Sequence, residues 1–183
     1  MKISLFILMI LATSACNPRL FNILEGSPSN MVSIYYNGNL DGLSKLNDNS
    51  LALKDSLLVS LKFIGSTNHV IEFNTEHTTN PHYYITFRTI FDNYNKHKGI
   101  YLAVNHTEYF VYSLGQLIKQ GVLNKHENYF KIEDDGKYLK LKINCDDIII
   151  ENKYLYSSEY MIIENMNGSS FNISGLSWKK INY

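Results

Sequence analysis

The stretch Tyr129-Phe-Lys-Ile-Glu-Asp-Asp-Gly-Lys-Tyr-Leu-Lys-Leu-Lys-Ile143 carries the strongest structural signal in this chain. Its second half alternates apolar residues at 139, 141 and 143 with Tyr138, Lys140 and Lys142. A period of two predicts a strand with one buried face and one solvated face. The two halves flank Asp134-Asp135-Gly136, and Asp-Gly is typical of type I′ turns, whose two central residues have positive φ. The stretch therefore predicts an antiparallel hairpin.

The same period of two recurs along the chain from Met31 onward. Further strands are predicted at Val32 to Tyr36, Leu51 to Phe63, Tyr83 to Thr89 and Ile148 to Ile150. Two more hairpins are predicted, one joining Ile100–Val104 to Tyr109–Tyr112 around Asn105-His-Thr-Glu108, the other joining Tyr160–Glu164 to Phe171–Ile173 around Asn167-Gly168. We therefore expect a mainly β fold, a single antiparallel β-barrel or sandwich.

One short helix is predicted within this β pattern. Ser113-Leu-Gly-Gln116 fits a capping box, Leu117 and Ile118 continue a helical spacing, and Gly121 is placed to end the helix. A faint threefold repeat of strand openings, at Leu51, Tyr101 and Tyr138, leaves a β-trefoil open as an alternative.

The N-terminus has the composition of an export signal. Met1-Lys2 is a short positive region, Ile3 to Leu11 is unbroken apolar sequence, and Ala12-Thr-Ser-Ala15 is a run of small residues that a signal peptidase recognises. The apolar run is about nine residues long, and a spanning helix needs about 20. Residues 1–15 are therefore predicted to be a signal peptide.

Cys16 directly follows that segment, and Ser14-Ala15-Cys16 resembles the lipobox of bacterial lipoproteins. The resemblance implies that Cys16 is acylated, with palmitate among the expected chains, and that it anchors the protein to the bacterial cell envelope. Asn17 stands where Asp would favour retention in the inner membrane, which implies the outer membrane. Thr13 departs from the pattern, because Leu is usual there, so ordinary cleavage after Ala15 remains the alternative.

The chain divides into a signal peptide at 1–15, a lipidated Cys and tether at 16–30, and a β-rich globular domain at 31–183. The tether contains two of the three prolines and lacks a clean period. Removing fifteen of the 183 residues leaves 168, enough for one domain with its own core. Seventeen basic residues balance seventeen acidic ones, so no nucleic-acid partner is expected.

No arrangement of reactive side chains predicts catalysis or a metal site. Glu76-His77 and His82 supply too few ligands, because catalytic zinc needs three protein ligands and an open position. The carboxylates of Asp134-Asp135, like those of Asp146-Asp147, are adjacent, so turn formation and solvation at strand ends explain them better than a catalytic dyad. Cys145 has acidic rather than basic neighbours, which predicts a small buried residue or an unreactive thiol. No catalytic residue, metal or cofactor is predicted.

The fourteen tyrosines are the best candidates for a binding surface, because tyrosine offers a large contact area with few rotatable bonds. In each adjacent pair one ring should face outward. The candidate partner-binding residues are Tyr35, Tyr36, Tyr83, Tyr84, Tyr154 and Tyr156. These features predict a non-catalytic binding or assembly module on a membrane, with a protein partner in the envelope, in the manner of a secretion-system accessory or immunity protein. An envelope-polymer hydrolase and a carbohydrate-binding trefoil are the alternatives.

Overall fold

A computed structural model describes residues 21–22, 31–38, 43–47, 50–55, 57–63, 68–89, 95–151 and 160–181. Almost all regular structure in these residues is β, apart from one 3-10 helix at Lys96–Lys98. The strands are β1 Phe21–Asn22, β2 Met31–Gly38, β3 Leu43–Asn47, β4 Ser50–Lys54, β5 Leu57–Phe63, β6 His69–Thr79, β7 His82–Phe87, β8 Ile100–Asn105, β9 Glu108–Ser113, β10 Gln116–Val122, β11 Glu127–Asp134, β12 Tyr138–Ile143, β13 Asp146–Glu151, β14 Tyr160–Asn165 and β15 Ser170–Lys180.

The strands form two antiparallel sheets packed face to face. Sheet A has the order β1-β2-β5-β14-β7-β8-β9-β10, and sheet B has the order β13-β12-β11-β6-β15-β4-β3. Every neighbouring pair is antiparallel. This two-sheet sandwich confirms the predicted fold class and replaces the barrel and the trefoil.

The core lies between the sheets and is built from one half of each alternating strand. In β11 and β12 the burial alternates residue by residue, as the sequence predicts. Phe73 of sheet B stacks on Phe130 at 5.2 Å between ring centroids, and Tyr83 of sheet A stacks on Phe171 of sheet B at 3.9 Å. Each fully buried large apolar side chain contributes on the order of 1.5–3 kcal/mol to folding, so this interior sets the register of both sheets.

Two predicted hairpins are confirmed. Asn105 pairs with Glu108 across the β8–β9 turn, and Asp134 pairs with Leu139 across the β11–β12 turn. The type I′ assignment around Gly136 is wrong, because only Gly136 has positive φ (85°) there, at the first central position. That pattern is typical of a type II′ turn.

The third predicted hairpin is wrong, although both of its strands exist. β14 pairs with β5 and β7 in sheet A, whereas β15 pairs with β4 and β6 in sheet B. The connecting turn has a hydrogen bond from the Ser169 amide to the Met166 carbonyl at 3.1 Å, and Gly168 has φ of 74°. The predicted strand at Leu51 to Phe63 is likewise divided between the sheets, with a break at Asp55 (φ 57°). Alternation predicts a strand but not the sheet that receives it.

The predicted helix at Ser113 to Gly121 is also wrong. Ser113 pairs with Gln116, and both residues between them have positive φ: 51° at Leu114 and 78° at Gly115. This is the backbone pattern of a type I′ turn, and β10 continues from it as an edge strand. Gly121 does not end a helix; a Cβ there would lie 2.5 Å from the Tyr109 ring, so close strand packing requires glycine.

The proposed signal peptide and Cys16 lie outside the described residues. Within the segment assigned to the tether, Phe21–Asn22 pairs with Ile34 and Ser33 of β2. Among the described residues, no helix is long and apolar enough to cross a membrane.

Candidate functional site

The outer face of sheet A carries a continuous aromatic surface next to its β10 edge. The side chains of this face alternate with core residues along β7, β8 and β9, and strand register aligns them in two rows. The first row is Thr86, Tyr101, Tyr112 and Leu117; the second is Tyr84, Ala103, Phe110 and Gln120.

Ala103 creates a recess in this surface. Tyr84 and Phe110 stand directly opposite it on the two neighbouring strands, and Tyr101 precedes it by two residues on the same face. Because a methyl group is shorter than an aromatic ring, we expect a shallow low point at Ala103, which Tyr112 borders diagonally. We call this the Ala103 depression. Ala103 and three of the surrounding rings are half-buried, whereas Tyr101 is buried, so solvent reaches this surface mainly at Tyr84, Phe110 and Tyr112.

The rings around the depression are held in place by one another. Tyr101 stacks on Tyr112 with centroids 4.7 Å apart and planes 11° from parallel. Tyr84 and His97 each contact the Tyr101 ring edge-on, with ring centroids 6.3 Å and 5.5 Å from that of Tyr101. Such pairs are the favoured geometries of aromatic rings. The surface is therefore formed before any ligand arrives, which lowers the entropy cost of binding.

A lysine covers part of this surface. The Lys96 ammonium lies 3.6 Å from the centroid of the Tyr84 ring and 3.0 Å from the Glu164 carboxylate. The ammonium thus combines a cation–π contact with an ion pair. Both partners of the ion pair are partly exposed, at 21% and 28%, so the pair is accessible to solutes and individually weak.

The turn that carries Lys96 is fixed against sheet A. The Asn95 side chain accepts a hydrogen bond from the His97 amide at 3.0 Å, and the Gly99 amide donates to the Lys96 carbonyl at 3.1 Å. The Leu114 amide donates to the Gly99 carbonyl at 3.1 Å, which ties the turn to the β9–β10 turn. A Cβ at Gly99 would lie 2.9 Å from the Phe87 carbonyl oxygen, so the close contact of the turn with the end of β7 requires glycine.

Hydroxyl groups give the aromatic surface its polar component. The Tyr101 hydroxyl lies 3.3 Å from His97 Nδ1, and the Tyr84 hydroxyl lies 3.5 Å from His82 Nε2. Burial raises the pKa of Tyr101, with smaller contributions from Tyr112 and Tyr84, so its hydroxyl is protonated at neutral pH. The site thus combines flat apolar rings with neutral hydroxyls and one accessible ammonium group.

The predicted tyrosines do not form one site. Tyr83 was wrongly assigned to a partner surface, because it is fully buried between the sheets, with its hydroxyl 3.1 Å from His77 Nε2. Tyr84 alternates with it onto the outer face. Tyr35 and Tyr36 lie in β2 opposite Ser60 and Val59. Tyr154 and Tyr156 lie outside the described residues.

The histidines that sequence spacing brought together point to opposite sides of sheet A. His77 contacts the buried Tyr83, and His82 contacts the outward Tyr84. Within the described ranges, no group of three histidine, cysteine, aspartate or glutamate side chains is placed to hold a metal ion.

Asp134 is not the solvated strand end that the sequence suggested. It is fully buried and paired with Arg88, which is 4% exposed. Arg88 Nε donates to Asp134 Oδ2 at 2.6 Å, and Nη1 donates to the Gly136 carbonyl at 3.3 Å. Because Arg88 follows β7 and Asp134 ends β11, this pair joins sheet A to sheet B.

The remaining predictions have separate outcomes. Asp135 does shape its turn, accepting hydrogen bonds from the amides of Lys137 at 2.9 Å and Tyr138 at 2.6 Å, and the Tyr138 contact is the largest cause of its lowered pKa.

Asp146 accepts a 2.5 Å hydrogen bond from the Tyr109 hydroxyl, which links β13 to sheet A. Cys145 is exposed in the β12–β13 turn, so its predicted burial is wrong.

Tyr101 and Tyr112 were missed, but the sequence contained the signal for them. Counting outward from the correctly predicted Asn105–Glu108 turn places Tyr101 directly opposite Tyr112. The contact of Lys96 with Glu164 has no comparable signal, because 68 residues separate them.

No protein-family model and no curated protein sequence matches this chain. Solved structures do resemble it. A putative glycosyl hydrolase from Parabacteroides distasonis aligns with a TM-score of 0.60 at 9% identity over 89% of this chain and all of the other. The carbohydrate-binding module CBM66 from Bacillus subtilis aligns at 0.51 and 12% identity, over 79% of this chain and 91% of that one. A Bacillus subtilis protein of unknown function with a galectin-like fold aligns at 0.54 and 12% identity, over 80% and 88%. Likeness at these identities shows the fold alone, a β-sandwich of two antiparallel sheets.

Proposed function

We propose that this protein is a membrane-tethered, non-catalytic binding module whose ligand is a carbohydrate, held on the aromatic outer face of sheet A. The arrangement of Tyr84, Phe110 and the stacked Tyr101–Tyr112 pair around the small side chain of Ala103 is the observation that carries the proposal. One face of a pyranose ring is formed largely by C–H groups, and such a face packs against flat aromatic rings while the sugar hydroxyls reach polar groups at the rim. Tyr84 and Tyr112 supply both accessible rings and hydroxyls, and the buried Tyr101 supports them through its contacts with both rings.

The pre-formed geometry supports binding rather than chemistry. The acidic side chain in contact with the surface, Glu164, is engaged by Lys96 at 3.0 Å. Catalytic cleavage of a glycosidic bond generally needs two carboxyl groups at a defined separation across the bond. The aromatic surface instead offers neutral groups that can be occupied reversibly.

The comparisons lend support of a coarser kind. The names of two similar structures refer to a carbohydrate-binding module and a galectin-like fold, and that of a third refers to a putative glycosyl hydrolase. These names describe those proteins, and the sugar-binding part of our proposal rests on the aromatic surface of this chain.

A protein partner in the envelope remains the second candidate, on a different observation. The edge strand β10 exposes Leu117 at 50%, Ile118 at 46% and Val122 at 72%. An edge strand with exposed apolar side chains is suited to pairing with an added strand. Leu117 also continues the row of Tyr101 and Tyr112, so a protein could contact both features.

The membrane attachment rests on the sequence at Cys16. Two acyl signals hold a protein stably on a bilayer, so Cys16→Ser should release the protein from the membrane fraction or leave it unprocessed. Mass analysis of the mature N-terminus is the direct measurement. An unmodified N-terminal residue in the wild-type protein would refute the anchor and leave the carbohydrate site unaffected.

The carbohydrate site can be tested by filling the depression. Ala103→Leu places a larger side chain between Tyr84 and Phe110 and should abolish retardation in polysaccharide-containing native gels. Ala52→Leu is the matched control, because Ala52 is a half-buried alanine on the outer face of sheet B. Both variants should unfold close to the wild type. Equal binding by all three proteins would refute the site, and a loss of binding in the control alone would place the ligand on sheet B.

A further inference from the structure

The turn beside the Ala103 depression is basic. Lys96, His97 and Lys98 form the 3-10 helix, and two of the three are bound to the aromatic surface itself: Lys96 lies over the Tyr84 ring and His97 contacts the Tyr101 hydroxyl. The Lys96 ammonium therefore lies beside Ala103, over the ring that stands opposite it on β7.

The charge at this rim is unbalanced. Glu164 neutralises Lys96, but Lys98 is exposed and makes no ion pair with any residue in the described part of the chain. The nearest acidic residue within the β7–β9 face, Glu108, lies at the opposite end of the strands, beside the β8–β9 turn. Among the described residues, a ligand lying over Ala103 thus has lysines near the end of the strands that adjoins the turn and an acidic residue, Glu108, at the other end.

The Lys96–Glu164 pair is suited to exchange. A carboxylate of the protein already contacts the Lys96 ammonium at 3.0 Å, so the ammonium can bind an anion while it lies over the Tyr84 ring. Since both side chains are partly exposed, an incoming anion can replace Glu164 without first uncovering a buried charge.

From these three observations, and resting on the carbohydrate site proposed above, we infer that the ligand is an anionic glycan. Its sugar ring lies in the Ala103 depression, and its carboxylate or sulfate group binds Lys96 in place of Glu164, with Lys98 adding long-range attraction. Lys96 then determines specificity between charged and neutral sugars, while the tyrosines supply affinity for both.

The test compares three polymers against the protein produced from the full-length chain: polygalacturonate, which carries carboxylates, dextran sulfate, which carries sulfate esters, and uncharged dextran. Lys96→Met keeps an unbranched chain over the Tyr84 ring and removes the charge. It should weaken binding to the preferred anionic polymer about tenfold, roughly the effect of losing one charge-assisted contact, and reduce the salt dependence of binding. Glu164→Gln removes the internal competitor and should strengthen the same binding.

Lys142→Met is the matched control, because Lys142 is a partly exposed lysine of the outer face of sheet B, 3.9 Å from Asp147. Equal losses in Lys96→Met and Lys142→Met would mean unspecific attraction and would overturn the inference. Equal wild-type affinity for dextran and the anionic polymers, unchanged by Lys96→Met, would overturn it as well and leave the carbohydrate site standing. Binding to none of the polymers, nor to other glycans on an array, would refute the carbohydrate site itself. Preference for one anionic polymer identifies the charged group.

Discussion

The two sheets share an interior but present different outer faces. The outer face of sheet B is a ladder of charges: Lys140 lies 2.9 Å from Glu133, Lys131 lies 3.9 Å from Glu72, and Lys142 pairs with Asp147. The outer face of sheet A instead carries the stacked rings of Tyr101 and Tyr112, and Lys96 lies over the neighbouring Tyr84 ring. In both sheets the strands alternate inward and outward residues, and the two outer faces differ only in which side chains occupy the outward positions.

In our proposal, this difference separates a solvated face from a binding face. The sheet B pairs are between a quarter and three quarters exposed, and such ion pairs contribute about 0–1 kcal/mol each. The sheet A rings are fixed by mutual contacts around the small side chain of Ala103. Their exposed apolar area is unfavourable in water, and a bound ligand would bury it. Three predictions test this comparison.

The largest effect should come from the ion pair that joins the sheets. Asp134→Asn keeps the shape of the side chain but leaves the Arg88 guanidinium buried without its carboxylate. We expect a loss of about 3 kcal/mol in unfolding free energy. Asp147→Asn, which removes one member of a sheet B surface pair that is 74% exposed, should change it by less than about 0.5 kcal/mol.

Urea unfolding of both variants measures this difference directly. Equal destabilisation would show that the Arg88–Asp134 pair contributes no more to the unfolding free energy than a surface pair does. Apolar packing alone would then hold the two sheets together.

The second effect separates the faces by function. Tyr112 on sheet A and Tyr138 on sheet B are both half-buried tyrosines on outer faces, and Tyr138 also lies near a lysine, Lys137, at 4.9 Å. Replacing either by alanine should reduce stability by about 1 kcal/mol. Only Tyr112→Ala should weaken glycan binding, by about tenfold or more, because aromatic anchors carry most of an interface's energy.

Titration of glycan against each folded variant provides the measurement. If Tyr138→Ala weakened binding as strongly as Tyr112→Ala, the ligand would have to contact sheet B, and the assignment of binding to the aromatic face would fail.

The same alternation explains what the sequence could predict. It predicted β2, β7, β8, β9, β11, β12 and β13, the hairpin around Asn105–Glu108 and the opposite directions of Tyr83 and Tyr84, because these depend on neighbours in the chain. It predicted no strand at β1, β3 or β10. It did not predict which sheet receives β14 and β15, because both sheets bury the same kind of residue. The capping-box pattern at Ser113 was misleading, since Leu114-Gly115 also suits a tight turn and strand pairing with β9 decided the outcome.

The sequence could not predict two long-range ion pairs, Lys96–Glu164 at the aromatic surface and Arg88–Asp134 between the sheets, for another reason. Arg88 and Asp134 are 46 residues apart, and Lys96 and Glu164 are 68 apart. Each pair forms only after strands distant in sequence have been assigned to their sheets. An aspartate before Asp-Gly predicts a turn from local sequence, and nothing nearby indicates that it is buried against an arginine.

The smallest effect concerns pH and the interior between the two faces. His69 and His77 lie on the inward row of β6, near its two ends, and burial is the main cause that lowers the pKa of each below the ordinary value of 6.5. For His69, Arg88 lowers the pKa further, whereas Asp134 raises it. Below about pH 6.5 the unfolded chain therefore binds more protons than the folded protein, and stability should fall as the pH falls through that value, by at most about 1.4 kcal/mol per pH unit for each histidine.

Unfolding free energies measured between pH 7.5 and pH 5 should therefore decrease toward acid, and His69→Gln/His77→Gln should flatten the slope. The exposed histidine of the β8–β9 turn offers a control, since His106→Asn suits the positive φ of 56° there and leaves the interior unchanged. This window stays above the range in which carboxylates titrate, so the lowered pKa of Asp135 contributes only at lower pH. A wild-type protein that is more stable at pH 5 than at pH 7.5 would show that the two histidines are not held neutral between the sheets.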